Sequence, residues 1–152
     1  ASPEIISKAA DAKSATNSHT SILPQWACAE FFKMGYYDEH MKKLCNIQKE
    51  RRDAMLKAID THFPKGTKRT NPDGGLFIWA ELPGDINTTE LLKEASTSPE
   101  IGVAYIAGEG FFTEGGGKGT NCMRLCFSGV PVDKINIGIE RLGKLIKSKL
   151  QE

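Results

Sequence analysis

Arg124 stands in the middle of NCMRLCFS, residues 121–128, a stretch that otherwise reads as a buried strand. Side chains alternate across a strand, so Met123, Leu125 and Phe127 point to one face while Cys122, Arg124 and Cys126 point to the other. The first face is core. The second carries small thiols around one guanidinium that cannot lose its charge and must therefore meet an anion or water. Its planar fork suits a carboxylate held through two parallel hydrogen bonds. On spacing alone a structural ion pair with an Asp or Glu of the same chain, or a solvated strand edge, outweighs a ligand site.

Other residues that could do chemistry form no set. Cys122 and Cys126 are about 13 Å apart along an extended strand, too far for a disulfide. Cys28 and Cys45 have no Cys or His beside them in ligand spacing, so all four cysteines read as free thiols used as small apolar groups and no metal site is expected. His19, His40 and His62 stand apart, and neither a Ser-His-Asp nor a Cys-His set can be built, so no catalytic residue is assigned. GEGFFT, 108–113, opens like a dinucleotide fingerprint but has Thr113 at the third glycine. EGGGKGT, 114–120, lacks the Gly-Lys-Ser/Thr ending of a P-loop. Both read as turns.

The elements that must position Arg124 follow from pattern. Ser2-Pro3-Glu4 opens a helix, IISKAADAKSAT, that loses its pattern in the polar loop NSHTSILPQ. QWACAEFFKM, 25–34, is apolar on most sides and expects burial or a partner body, with Pro24 opening this helix rather than lying inside it. Residues 36–63 form one long helix with an intermittent apolar stripe and a charged cluster, KERRD, read as a solvated face. Strands are expected at 67–71, 76–82, 101–108 and 121–128. A helix from Thr88, capped by Asn87 with Glu90 three residues on, lies among them, and Pro131 opens an amphipathic terminal helix. The sum is an α+β body with a sheet of about three strands covered by three helices, behind a helical N-terminal piece, with a boundary in the first half of the long helix.

Composition narrows the classes. Lys plus Arg number 20 against 19 Asp plus Glu in 152 residues, and the basic residues are scattered. No nucleic-acid surface and no membrane partner is indicated, no apolar run reaches spanning length, and the N-terminus lacks signal-peptide order, so a soluble, cytoplasmic protein is expected.

The ordered motifs, LPQ, RRDAML, NPDGGLFIWAELP, GVAYIAGEGFF and NCMRLCFS before a terminal amphipathic helix, resemble the C-terminal part of fold type I pyridoxal-phosphate aminotransferases. Within these the chain is similar to the 2-aminoadipate and kynurenine aminotransferase branch, whose members carry PxGGxFxW, GVxxxPGxxF and RLxFS segments. The resemblance implies that residues 1–35 are the tail of the large cofactor-binding domain and residues 36–152 the small domain, with a mainly antiparallel sheet. It implies a homodimeric parent moving an amino group between an amino acid and a 2-oxo acid through pyridoxal phosphate. Arg124 falls on the arginine that grips the substrate α-carboxylate, Phe111 and Tyr105 fall near the substrate side chain, and His19 falls near the partner subunit. Ala107 stands where the family usually has proline, which should loosen the turn. No lysine sits in the family's Schiff-base context, so the chain is read as a fragment, inactive alone, with no cofactor-binding residue and no pyridoxal phosphate bound by itself. The alternative is an aminotransferase-like ligand-sensing domain of a transcription regulator.

Overall fold

The computed structural model describes residues 1–17, 19–113 and 117–150. Ser18 of the polar loop and Glu114–Gly116 of the EGGGKGT turn lie outside the described residues. The chain divides into two compact units, Ala1–Lys43 and Leu44–Glu152.

In the first unit, α1 (Pro3–Thr16) starts as its sequence dictates: Ser2 caps it, its hydroxyl accepting from the Ile5 N–H at 3.5 Å, with Pro3 in the first turn and Glu4 at the positive end of the dipole. α2 (Ile22–Lys33) begins three residues before the expected position. Pro24 therefore lies inside its first turn, where the missing N–H has no helical partner to lose. The expected burial of this helix does not occur within its own unit: Leu23 is 76% and Trp26 71% exposed. After Gly35 the chain turns into the long helix, and Phe31 packs edge-on against His40 at 5.6 Å.

The second unit takes α3 (Tyr36–His62) from Leu44 onward, then β1 (Lys68–Arg69), β2 (Phe77–Glu81), α4 (Thr88–Thr97), β3 (Ile106–Ala107), β4 (Cys122–Cys126) and α5 (Val132–Lys149). The sheet has four strands rather than three, in the order β1-β2-β4-β3, and every pairing is antiparallel. Its inner face is Ile78, Ala80, Met123 and Leu125, all essentially inaccessible. Against it pack Met55 and Ile59 of α3, Leu91 and Ala95 of α4, and Ile135, Ile139, Leu142 and Ile146 of α5. Each fully buried large side chain contributes about 1.5–3 kcal/mol of transfer free energy.

Three expectations need correction. The strand expected at 101–108 shrinks to Ile106–Ala107, because its first half is tied to α4 instead of a neighbouring strand. Gly102 N–H donates to Ser98 O and Val103 N–H to Ala95 O, both at 2.9 Å, and Gly102 takes the positive φ of 60° that closes this helix exit. The KERRD cluster is not a wholly solvated face: Arg51 and Arg52 are half-buried and donate to the carbonyls of Ser128 and Pro72. Of the four free thiols only Cys122 is buried, while Cys28, Cys45 and Cys126 are exposed. The capped helix starts where expected, with Asn87 Oδ1 accepting from the Thr89 and Glu90 N–H groups at 2.9 and 3.2 Å.

Candidate functional site

The other face of the same sheet carries Arg124. Register places it at the centre of β4, between Trp79 on β2 and Ile106 on β3, with Phe77 beside Cys126 and Glu81 beside Cys122. Its Cζ lies 4.1 Å from the centroid of the Phe77 ring and 5.0 Å from that of Phe111. Trp79 meets Phe111 edge-on at 5.3 Å, and Phe112 lies 6.3 Å from Trp79. Two aromatic rings thus meet the guanidinium and Trp79 links the Phe111 ring to Phe112, with Phe77, Phe111 and Phe112 each 41–46% exposed.

What Arg124 lacks is as informative as what it touches. Its Nε is buried without a hydrogen-bond partner, and among the described residues no carboxylate pairs with it. Other half-buried arginines behave differently. Arg69 makes a bidentate pair with Asp60 at 2.8 and 2.6 Å, and Arg52 holds Asp53 at 2.9 and 2.6 Å. The guanidinium of Arg69 holds the Asp60 carboxyl below its ordinary range, and Lys49 with Arg52 does the same to Asp53. The structural-pair alternative therefore describes those two arginines, while Arg124 keeps an unmatched donor edge on an aromatic-lined face.

Local hydrogen bonds fix where β4 starts and where Phe111 sits. The buried Thr88 hydroxyl lies 2.9 Å from Thr120 O and 2.6 Å from Cys122 O, sharing its proton between them, and Asn121 Nδ2 donates to Leu82 O at 2.7 Å. A single 3₁₀ turn, Gly108–Phe111, then presents Phe111. Gly108 is required there by close approach, since a Cβ would come within 2.4 Å of the Cys122 Cβ. Ala107, at φ −62°, holds the angle that a proline ring would impose, so the turn keeps its shape without one. Burial, with Glu81 second, pushes the Cys122 thiol up and keeps it neutral beside this face.

Arg124 and Phe111 are thus brought together. Tyr105 is not with them: it is buried on the core side, its hydroxyl donating to Thr88 O at 2.7 Å, and burial pushes the phenol well above its ordinary value. His19 is exposed in the first unit, with Nδ1 3.0 Å from Thr20 O. Sequence reasoning missed Phe77, Trp79 and Phe112. The signal was present in LFIWAEL, whose alternation puts Phe77 and Trp79 on one face; pairing β2 with β4 was the missing step.

Among the described residues no group of three His, Cys, Asp or Glu side chains is gathered as a metal site, and no helix is long and apolar enough to cross a membrane. Every described lysine is exposed. A Schiff-base amine requires a desolvated pocket or a neighbouring cation to become nucleophilic, and burial within this chain supplies no such pocket to any described lysine.

An open antiparallel sheet with helices on one face, preceded by a helical segment, is the architecture seen in part of the fold type I aminotransferases. The family described as "Aminotransferase class I and II" matches residues 1–142, and the chain belongs to it. It is similar to aromatic-amino-acid aminotransferase 1 of Thermococcus litoralis, at 41% identity over 152 residues, covering 100% of this chain and 35% of that protein. It is 35% identical over 150 residues to the 2-aminoadipate transaminase of Thermus thermophilus, covering 99% of this chain and 36% of the relative. The crystal structure of Pyrococcus horikoshii kynurenine aminotransferase superposes with a TM-score of 0.86 at 39% identity, over 99% of this chain and 36% of that one. The chain therefore spans about a third of the length of these relatives. Helix-turn-helix transcriptional regulators also match, at 29–33% identity.

Proposed function

We propose that this chain is the C-terminal part of a pyridoxal-phosphate-dependent aminotransferase that moves an amino group between an amino acid and a 2-oxo acid, and that Arg124 holds the α-carboxylate. The observation that carries the assignment is the unpartnered guanidinium: among the described residues Arg124 has no acceptor, whereas the half-buried Arg51, Arg52 and Arg69 each have one. A carboxylate approaching the outer end of the guanidinium would meet its two Nη groups, which have no acceptor among the described residues, through two parallel hydrogen bonds. Burial among aromatic rings strengthens such a pair by lowering the local dielectric.

In this reading residues 1–35 are the tail of the large domain and 36–152 the small domain of a cytoplasmic homodimer, with His19 near the partner subunit and Phe111 near the substrate side chain. Tyr105 is assigned to the small-domain core, since its hydroxyl is committed to Thr88. Pyridoxal phosphate, when bound, supplies the electron sink for the amino-group transfer. Its lysine comes from sequence outside this chain, so the 152-residue chain alone is inactive. Borohydride reduction of this chain with the cofactor should label no specific lysine; a single labelled lysine would overturn that statement. In the full-length protein, Arg124→Ala should lower kcat/KM for every amino acid donor by about 10²–10³-fold, the size expected on truncating one partner of a desolvated charge pair. Unchanged kinetics would remove Arg124 from the site.

The matches to helix-turn-helix regulators favour one second reading, a ligand-sensing domain that uses the same carboxylate grip. A winged-helix segment at the N-terminus of the full-length protein would decide for it, and its absence there would decide for the enzyme.

A further inference from the structure

The contacts of Arg124 with Phe77 and Phe111, and the absence of any acidic orienting group among the described residues, carry an inference that rests on the carboxylate-binding reading. We infer that Phe77 and Phe111 are positioning residues: their rings replace the usual carboxylate as the holder of the Arg124 guanidinium, leaving its Nη groups open to the substrate carboxylate.

A functional arginine faces a conflict. An Asp or Glu that orients it also occupies the donors it needs, as Asp60 does on Arg69 with both oxygens. A ring contacts the guanidinium carbon through its π electrons and takes none of the in-plane N–H groups. Arg124 has two such contacts, 4.1 Å from Phe77 and 5.0 Å from Phe111, and its Nε remains unmatched. The rings come from separate elements with separate supports. Phe77 is set by its antiparallel register opposite Cys126, and Phe111 by the 3₁₀ turn that Gly108 packs against Cys122. Trp79, edge-on to Phe111 at 5.3 Å and directly across from Arg124, buttresses the second ring. Both rings are 41–46% exposed, which is a large apolar exposure to keep unless the face has a use.

The parallel N–H groups of a guanidinium match the two oxygens of a planar carboxylate, so a carboxylate is favoured over a tetrahedral phosphate or sulfonate of similar charge.

The test follows the Arg124 Nε–H by ¹⁵N-edited NMR in the full-length protein, with 3-phenylpropionate as the probe, a carboxylate that lacks the reacting amino group. In the ligand-free wild type the signal should carry a ring-current shift, and the probe should move it. Phe77→Leu and Phe111→Leu should each relax that shift without ligand and weaken probe binding about 3- to 10-fold, with 3-phenylpropanesulfonate weakened less. Phe77→Tyr, which keeps the ring, should restore binding to within about twofold of wild type, a rescue that a merely space-filling role would not show. If both leucine variants bind the probe like wild type while Arg124→Ala does not, the positioning role is wrong and the carboxylate grip stands. If Arg124→Ala binds the probe like wild type, the grip itself fails and the positioning role with it. A leucine variant that does not fold is replaced by the Tyr pair, Phe77→Tyr and Phe111→Tyr: an Nε–H shift lost with the rings retained would also overturn the inference.

Discussion

The two faces of the central sheet are built from alternate residues of the same two strands, yet they obey opposite rules. On the inner face Ile78, Ala80, Met123 and Leu125 are fully packed and carry no polar side-chain atom. On the outer face Phe77, Trp79, Glu81 and Arg124 are half-buried or exposed, and one donor is left unmatched. A period of two therefore separates stability from chemistry within a single strand: each residue that holds the fold is flanked by residues free to hold a ligand. The unmatched donor costs the fold something, since a buried polar group without a partner is unfavourable, and the inner face supplies the stability that tolerates it.

That separation can be broken from either side. Outer-face truncation at Arg124 should reduce kcat/KM of the full-length protein by the two to three decades given above while shifting its denaturant midpoint little. A large stability loss in that variant would mean the faces are not independent. Inner-face truncation should do the reverse: Leu125→Ala, at a 3% exposed site, should cost about 2–5 kcal/mol of unfolding free energy by denaturant titration. Carboxylate binding per folded molecule should be preserved.

Smaller effects sharpen the same contrast. Gly143→Ala should cost about 1–3 kcal/mol, because a Cβ there would lie 2.5 Å from His62 O where α5 crosses the end of α3 on the core side. Differential scanning calorimetry would show it as a lowered Tm with no change at Arg124. The smallest effect belongs to the arginine that does have a partner. Asp60→Asn should cost about 0.2–1 kcal/mol, since the Asp60–Arg69 pair is partly solvated. The Asp60 carboxyl is held below its ordinary value by Arg69, so its folded pKa lies under the unfolded one. The contribution is then full above about pH 4 and disappears as the pH falls through the lowered value, and the wild-type and Asp60→Asn stability curves should converge on acidification.

How much of this was legible depended on how local the cause was. The Asn87 cap, the apolar stripe of α5 and the division of β4 into two faces are written in adjacent residues, and each appears in the structure where the pattern puts it. The strand expected at 101–108 failed because the decisive interactions are with the end of α4, which the apolar run itself does not reveal. KERRD reads as solvent-facing until one knows that the carbonyls of Ser128 and Pro72 lie within reach of its arginines. The aromatic surroundings of Arg124 required the β2–β4 register: Phe77 and Trp79 lie more than forty residues upstream, and only pairing brings them to one face. The site was thus visible as one residue and became an arrangement only with the sheet.

The central claim, that Arg124 grips the substrate's carboxylate, is tested most directly by deleting each partner separately and together. The ratio of kcat/KM for the best amino acid donor to that for the amine lacking only its carboxylate should be measured in the full-length wild type and in Arg124→Ala. The account predicts a large ratio in the wild type that collapses by about 10²–10³-fold in the variant, because either deletion removes the same interaction. An undiminished ratio in Arg124→Ala would contradict it.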